Sequence, residues 1–310
     1  MADIKPQIEE AAVLALLRGH FAGSIEGLAV VGGGQVAQTY AFAAGGQEYI
    51  VRSNRRMATN FAKEALISRR YASPRIPIPP IIHLGRLGEL RYANAPRLPG
   101  KPLTELPPAA NEALLPALLD TLEAIHACDV ADRPGYGIFG DDGTGFFPSW
   151  RQFLAAIREE DPEWDFYGKW HALFETTFLE RDVFELIYRR MVSLLDHCPQ
   201  EEKWLVHGNY GFGNVLAHEG SVSGVLDWLD AKYSDFVYDL AWLDFWAPQQ
   251  RIPSRCAERY ARRGTSVPHF AERLRCYECY IGLDALRFFA KGGNEVAYRG
   301  TREHILSLLP

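Results

Sequence analysis

"LVHGNYGFGNVLAHEGSVSGVLDW", residues 205–228, is the stretch that decides the fold. Two short apolar runs, around residues 215–216 and 222–226, flank the turn-forming pair Glu219-Gly220, and this pattern predicts a β-hairpin. With 219 and 220 in the turn, residue 218 faces 221 and residue 214 faces 225. Asp227 then lies two residues beyond the partner of Asn214, so we expect both side chains at the open end of the hairpin.

An amide oxygen beside a carboxylate is suited to magnesium. Mg²⁺ bound to a triphosphate needs few protein oxygens, because phosphates and water supply its remaining ligands. Asn214 and Asp227 are therefore candidate metal ligands. An ordinary surface hairpin with polar ends is the alternative interpretation of this segment alone.

An earlier stretch, residues 27–54, alternates and carries two groups of glycines. It predicts a strand, a glycine loop, a second strand, a hairpin at Gly45-Gly46 and a third strand. Arg52, late in that third strand, could hold the α- and β-phosphates of a nucleotide, and Glu64 in the next helix is a candidate partner for it. Backbone N–H groups at Gly33 and Gly34 could cover phosphates.

The remaining pattern predicts an α+β fold. An opening helix over 6–22 and a second over 60–73 show helical periodicity, whereas the proline-rich residues 74–85 must be extended and residues 90–96 read as a strand. From about residue 99 the chain turns helical, with helices predicted over 111–127, 149–160 and 182–197 and after 236 and 270. Pro116 either kinks the first of these or marks a later start.

Composition and charge exclude several function classes. The chain has 310 residues and a net charge of −6, which argues against a broad nucleic-acid surface and suits a cationic small molecule. No apolar run approaches the roughly 20 residues of a membrane span, so we expect no membrane partner. Scattered cysteines without a signal peptide predict reduced thiols and a cytoplasmic location. The CxxC spacing of Cys276 and Cys279 is interpreted as ordinary helix positions.

Five features, taken in chain order, resemble the pattern of one family. They are the glycine loop, the strand cation, the helix glutamate, the sequence from His207 to Asn214 and the "LDW" around Asp227. The chain is similar to the aminoglycoside phosphotransferase branch of the protein kinase-like superfamily and, more narrowly, to hygromycin B phosphotransferases. This resemblance implies a bilobal kinase-like fold with a small β-rich N-lobe and a larger, mainly helical C-lobe. It places the lobes at 1–98 and 99–310, with a hinge near 94–98.

The resemblance also implies roles for individual residues. His207 is the loop histidine, Asn209 occupies the position of the catalytic base, and Asn214 and Asp227 bind the metal. Arg52 and Glu64 occupy the positions of the phosphate-binding lysine and its partner, and residues from Asn94 to Leu98 face adenine, mostly through backbone. Asp235 and Asp239 brace the catalytic loop, although Asp235 could equally cap a helix. ATP or GTP and Mg²⁺ are the implied cofactors.

Asn209 departs from the family, in which an aspartate orients the acceptor hydroxyl and takes its proton. Asn keeps a carbonyl acceptor but takes no proton at ordinary pH. We therefore interpret the chain as an inactivated Asp→Asn variant of an antibiotic kinase that retains binding but reacts slowly. Two alternatives stay open: a natural pseudokinase that binds nucleotide or drug without catalysis, and a small-molecule kinase for another amine-bearing alcohol.

An acidic and aromatic segment, residues 159–180, suits an aminoglycoside, whose amines carboxylates bind and whose rings stack on aromatic side chains. A solvated acidic helix face is the alternative interpretation. Within it Trp164 and Asp165, and elsewhere Asp230 and Asp284, are candidate substrate contacts. We expect a monomer whose partners are this drug and a nucleoside triphosphate.

Overall fold

The computed structural model describes residues 5–32, 37–55, 60–160 and 167–309. In chain order the strands are β1 Ile25–Val30, β2 Gln38–Ala44, β3 Gln47–Arg55, β4 His83–Leu87, β5 Leu90–Pro96, β6 Lys101–Pro102, β7 Tyr136–Phe139, β8 Gly145–Phe147, β9 Trp204–Val206, β10 Val215–His218, β11 Ser221–Val225 and β12 Lys232–Ser234. The α-helices are α1 Glu10–Arg18, α2 Phe61–Tyr71, α3 Pro108–His126, α4 Trp150–Ala155, α5 Leu173–Thr176, α6 Arg181–Leu194, α7 Val237–Trp246, α8 Ile252–Arg262, α9 Phe270–Gly292 and α10 Glu295–Ser307.

These elements form two compact units. The first unit contains the described residues up to Thr121 together with Gly213–Leu229, and the second contains Leu122–Phe212 and the described residues from Asp230 onward. The β10–β11 hairpin therefore belongs to the first unit although it lies late in the sequence. The predicted lobe boundary near residues 94–98 stays a prediction.

The first unit is built on an antiparallel sheet with the strand order β1-β2-β3-β5-β4. The predicted hairpin at Gly45-Gly46 is confirmed, since both glycines have the positive φ angles, 57° and 77°, that a tight turn between paired strands requires. One face of the sheet buries Tyr40, Phe42 and Val51 against Val13 and Leu17 of α1. Because side chains alternate along a strand, Arg52 projects from the opposite face.

The two helices of this sheet region are shorter than predicted. α1 begins at Glu10 rather than residue 6, and the Tyr40 hydroxyl donates to the carbonyl of Ile8 at 2.7 Å, which holds the chain before the helix. α2 begins after Asn60, whose side chain accepts a hydrogen bond from the Ala62 N–H at 2.8 Å.

The hairpin β10–β11 has the predicted turn but a different register. Glu219 and Gly220 form the turn, with φ of 49° and 77°, and residue 218 faces 221 as predicted. The predicted pairing of 214 with 225 is wrong: Val215 pairs with Val225, because a β-bulge lies between the Leu216–Gly224 and Ala217–Val222 pairs. Sequence alternation alone does not reveal one extra residue in a strand.

The second unit is mainly helical, as predicted. α6, α7 and α10 pack around the long central helix α9, and the core includes Trp150, Phe184, Met191, Tyr277 and Leu286. A four-stranded sheet of order β8-β7-β12-β9 lies in the same unit and was not predicted, because its strands are three or four residues long. α3 contains Pro116 and begins at Pro108, which rules out the later start. Among the described residues, no helix is long and apolar enough to cross a membrane.

Candidate functional site

A buried carboxylate holds the start of the loop that follows β9, residues 207–212. Asp239 of α7 is fully buried and accepts the His207 N–H at 2.9 Å and the Gly208 N–H at 2.8 Å. The ring Nε2 of His126, at the end of α3, lies 3.1 Å from the same carboxylate. Asp239 therefore braces this loop, as the sequence predicted, and His126 is an additional support that the sequence did not indicate.

The charge of Asp239 is stabilised by these contacts. Burial alone would raise the pKa of its carboxyl, but the hydrogen bond and charge of His126, together with His207, hold that pKa below its ordinary value. The loop is consequently anchored to an ionised group rather than to a neutral one, and hydrogen bonds to an ionised acceptor are the stronger kind.

Glycine is required at position 208. Its φ is +78°, and a Cβ there would lie 2.1 Å from the carbonyl oxygen of Asp230 and 2.6 Å from the Nζ of Lys232. Lys232 is buried, donates to the Asp230 carbonyl at 2.8 Å and lies over the ring of Tyr238. Burial lowers the pKa of this ammonium, and the carboxylates of Asp230, Asp284 and Asp239 only partly offset the effect. The sequence does not indicate Lys232, because nothing local distinguishes it from a surface lysine.

Asn209 follows directly on this anchored backbone. Its N–H donates to the Nδ1 of His207 at 3.2 Å, while the His207 ring is fully buried against Tyr210. Asn209 itself is half-buried. The histidine thus fixes the backbone of residue 209 and keeps its own ring away from solvent.

In the first unit, an ion pair holds a cation on the face of the sheet opposite α1. The guanidinium of Arg52 pairs with the carboxylate of Glu64, which is the pairing the sequence predicted. Burial lowers the pKa of Arg52, but Glu64 and Asp227 raise it by more. The predicted metal ligand Asp227 therefore acts electrostatically on the predicted phosphate cation.

Asn214 and Asp227 are brought together by the hairpin. The N–H of Leu226 donates to the carbonyl of Asn214 at 2.8 Å, so Asp227 is one residue beyond the partner of Asn214 and not two. Asp227 has a left-handed backbone, with φ of 61°, which is uncommon outside glycine and best tolerated by Asn and Asp. An amide oxygen and a carboxylate are hard oxygen ligands and fit Mg²⁺, with phosphate and water oxygens completing its shell.

The stretch predicted to face adenine, residues 94–98, begins within β5. The carbonyl of Asn94 accepts a hydrogen bond from Ile82 N at 2.9 Å, and its side chain is fully buried opposite Val51, on the face away from Arg52. In the described part of the chain neither side-chain amide atom of Asn94 has a hydrogen-bond partner. Leu98 packs toward Gly224 of β11, 2.9 Å from the position of a Cβ there. Asn94 therefore has little backbone to offer a ligand.

The two predicted acceptor-site acids of the second unit, Asp230 and Asp284, act electrostatically on the same two tyrosines. Asp230 is exposed and Asp284 is partly exposed, with one oxygen 2.8 Å from Arg287. Both carboxylates raise the pKa values of Tyr238 and Tyr280, whose main cause of elevation is burial. Tyr238 and Tyr280 are themselves buried, so the role of Asp230 and Asp284 as substrate contacts stays a prediction.

The remaining predicted site residues either lie outside the described residues or belong to the acidic segment 159–180. Gly33, Gly34, Trp164 and Asp165 lie outside the described residues. In the described part of the 159–180 segment, Trp170 is buried and donates to the Glu159 carbonyl at 2.8 Å, and Glu180 binds Arg302. These two side chains are engaged in the fold.

Asp235 and the cysteines are structural. Asp235 accepts from Val237 N, the first residue of α7, and from Arg273 and Tyr277 of α9. It lies one residue before the N-cap of α7, Phe236, and among the described residues these partners are not part of the loop that Asp239 holds. Cys276 and Cys279 are buried helix positions, as predicted. No group of three or more metal-ligating side chains from His, Cys, Asp and Glu occurs among the residues the structure describes.

Known proteins resemble the chain over nearly its whole length. A family model described as the phosphotransferase enzyme family matches residues 27–276. Hygromycin-B 4-O-kinase from Escherichia coli is 31% identical over 291 residues, covering 94% of this chain and 82% of that protein. A thermostable mutant of aminoglycoside phosphotransferase APH(4)-Ia, solved in a ternary complex with AMP-PNP and hygromycin B, is 28% identical and has a TM-score of 0.82, with 96% and 98% of the two chains covered.

A more distant structure shares the fold alone. Spectinomycin phosphotransferase APH(9)-Ia, in complex with ADP and spectinomycin, is 14% identical with a TM-score of 0.61 and 97% and 95% coverage. The sheet order, the mainly helical second unit and the matched residues agree with the resemblance found in the sequence. The chain belongs to the phosphotransferase enzyme family that includes the aminoglycoside phosphotransferases, and it has their kinase-like α+β fold.

Proposed function

We propose that the chain is an ATP-dependent O-phosphotransferase for an aminoglycoside or aminocyclitol antibiotic of the hygromycin B type. The acceptor is an alcohol group of the drug, and the phosphoryl donor is ATP or GTP. The observation that carries the proposal is the joint presence of the Arg52–Glu64 pair and the Asn214–Asp227 oxygens in a chain 31% identical to a hygromycin-B 4-O-kinase. We also propose the two-lobed division near 94–98 and expect a cytoplasmic monomer.

In this proposal the first unit binds the nucleotide. Arg52 neutralises phosphate charge, Glu64 holds its guanidinium, and Gly33 and Gly34 offer backbone N–H groups to phosphate. Asn214 and Asp227 would hold Mg²⁺, which when bound neutralises charge on the phosphates. Within the 94–98 stretch, the backbone after Asn94 would contact adenine, because the Asn94 carbonyl already accepts a hydrogen bond from Ile82 N.

In the second unit, the 207–212 loop presents Asn209 to the acceptor. Its amide oxygen can accept a hydrogen bond from the attacking hydroxyl and so orient it, but the amide takes no proton. His207 and Asp239 position this residue. Asp230 and Asp284, and Trp164 and Asp165 of the acidic segment, are the proposed contacts for drug amines and rings. We therefore propose an inactivated Asp→Asn form with binding preserved and turnover reduced by about 10²–10⁴-fold.

Restoring the acid tests this proposal. Asn209→Asp should raise hygromycin-dependent ADP release by about 10²–10⁴-fold, because the carboxylate supplies the missing proton acceptor. Drug phosphorylated on a hydroxyl should appear by mass spectrometry. The unchanged chain is the control and should bind the drug with similar affinity. An Asn209→Asp protein that hydrolyses or transfers nothing in the presence of drug would refute the proposal.

A natural pseudokinase is the second candidate, and Asn209 on an otherwise well-anchored loop favours it. This alternative predicts tight binding of nucleotide or drug and no gain on Asn209→Asp. A kinase for another amine-bearing alcohol predicts a gain with a different acceptor. A thermal-shift panel of antibiotics and amine-bearing alcohols, each with Mg²⁺ and ATP, separates the three, because a ligand that binds the folded state raises the unfolding temperature.

A further inference from the structure

A lysine of α2 is buried next to the predicted phosphate-binding apparatus. Lys63 is 0% exposed, and its Nζ donates to the carbonyl oxygen of Leu229 at 2.7 Å. Removing an ammonium group from water costs several kcal/mol unless strong hydrogen bonds compensate. Lys63 lies in the first turn of α2, where an apolar side chain would pack at no such cost, so its hydrogen bond to Leu229 offsets part of the cost of burying the ammonium.

Leu229 ends the short segment that begins with Asp227. On the side of the hairpin this segment is fixed by backbone hydrogen bonds, from Val225 N to the carbonyl of Pro77 and from Leu226 N to the carbonyl of Asn214, each 2.8 Å long. Beyond Asp227 the chain turns through a single 3₁₀ turn, Trp228–Asp230. Lys63 therefore fixes the segment two residues after Asp227.

The backbone at Asp227 explains why a second anchor is useful. A left-handed conformation in a residue with a side chain is less favourable than the ordinary regions and persists only where its surroundings determine it. The hairpin constrains the chain before Asp227, and the Lys63–Leu229 bond constrains it afterwards. The direction of the Asp227 carboxylate depends on both.

α2 also links this anchor to the phosphate cation. Glu64, the residue after Lys63, pairs with Arg52, and Asp227 in turn acts electrostatically on Arg52. Two consecutive residues of one helix therefore hold the predicted phosphate cation and the segment that carries the predicted metal ligand.

We propose that Lys63 is a positioning residue that orients Asp227 for metal-dependent nucleotide binding. This inference rests on the proposed function. Lys63 would touch neither the metal nor the nucleotide, so its loss should weaken the effect of the metal more than the binding of the nucleotide alone. Partners that orient metal ligands typically contribute about 10- to 100-fold in metal affinity.

The test measures binding and needs no turnover. AMP-PNP binding is titrated calorimetrically without metal and at increasing Mg²⁺ for the unchanged chain, Lys63→Met and Lys63→Arg. Lys203→Met is the matched control, since Lys203 likewise donates to backbone carbonyls, those of Arg133 and Gly135, but in the second unit. We expect Lys63→Met to raise the half-saturating Mg²⁺ concentration about 10-fold or more with metal-free affinity nearly unchanged, Lys63→Arg to recover part of the loss, and Lys203→Met to leave both unchanged.

Several outcomes would overturn the inference. One is a folded Lys63→Met protein with the Mg²⁺ dependence of the unchanged chain; another is equal loss of affinity with and without metal, which would indicate a general structural role. Failure of both Lys63→Met and Lys63→Arg to fold would show that the lysine serves folding instead. If the unchanged chain binds no nucleotide at any Mg²⁺ concentration, the proposed function itself is refuted, which is a distinct result.

Discussion

The carboxylate of Asp239 should stabilise the start of the 207–212 loop, and Asp239→Asn measures its contribution. The carboxylate accepts two backbone N–H groups, at 2.9 and 2.8 Å, and lies 3.1 Å from the His126 ring nitrogen. Asparagine has nearly the same shape but only one acceptor oxygen. It can serve one of the backbone N–H groups, and it places its own NH₂ against the other.

The cost follows from these contacts. A buried N–H without a partner costs about 1–3 kcal/mol, and replacing an ionised acceptor by a neutral one in the remaining bond costs about 1 kcal/mol more. We therefore expect Asp239→Asn to destabilise the loop by about 3 kcal/mol, which corresponds to roughly 100-fold faster hydrogen exchange at the amides of His207 and Gly208. Urea unfolding of the same proteins should show a loss of similar size.

The pH dependence has a defined sign. The pKa of Asp239 is lowered in the folded state, so its stabilising contribution is present above the ordinary value of 3.8 and is lost as the pH falls through the folded value. The difference between the two proteins should therefore shrink in acid. Asp196→Asn is the matched control, because its side chain is 93% exposed and should change stability by less than about 0.5 kcal/mol. Unchanged exchange at residues 207 and 208 in Asp239→Asn would refute this account of the loop.

Two further predictions test other parts of the structure. Burial and the neighbouring Asp244 raise the pKa of the Glu278 carboxyl to about 8, so its contribution to stability is full below about pH 4.5 and is lost as the pH rises through about 8. In chemical denaturation, the free energy of unfolding of the unchanged chain should therefore fall by about 1 kcal/mol per pH unit between about pH 6 and 8. Glu278→Gln should abolish this fall, whereas the exposed Glu295→Gln should not. Gly208→Ala should destabilise the protein by more than about 2 kcal/mol, because its Cβ would overlap the Asp230 carbonyl at a φ of +78°. Gly213→Ala, where no atom lies within 4 Å of the added Cβ, should be tolerated, and equal melting temperatures for these two variants would contradict the packing argument.

Much of the first unit was predictable because its elements are specified locally. The Gly45-Gly46 and Glu219-Gly220 turns need positive φ, and the alternation of apolar residues on either side assigns the strands. The family resemblance and the pairing of Arg52 with Glu64 also depend on short, ordered motifs. By contrast, strands β7, β9 and β12 are too short for any periodicity, and the bulge in β10–β11 changes the register without leaving a pattern in the sequence.

The sequence by itself determined the β-rich start of the chain, its mainly helical remainder and the two glycine-containing turns, and it indicated the candidate site residues, because each of these depends on neighbours a few positions away. Only the tertiary structure decided which groups hold them in place. Asp239 reaches the backbone 31 and 32 residues before it, and Lys63 binds a carbonyl 166 residues later. Such contacts depend on how distant segments fold onto one another, and the sequence alone does not show whether a given lysine or aspartate is buried or exposed.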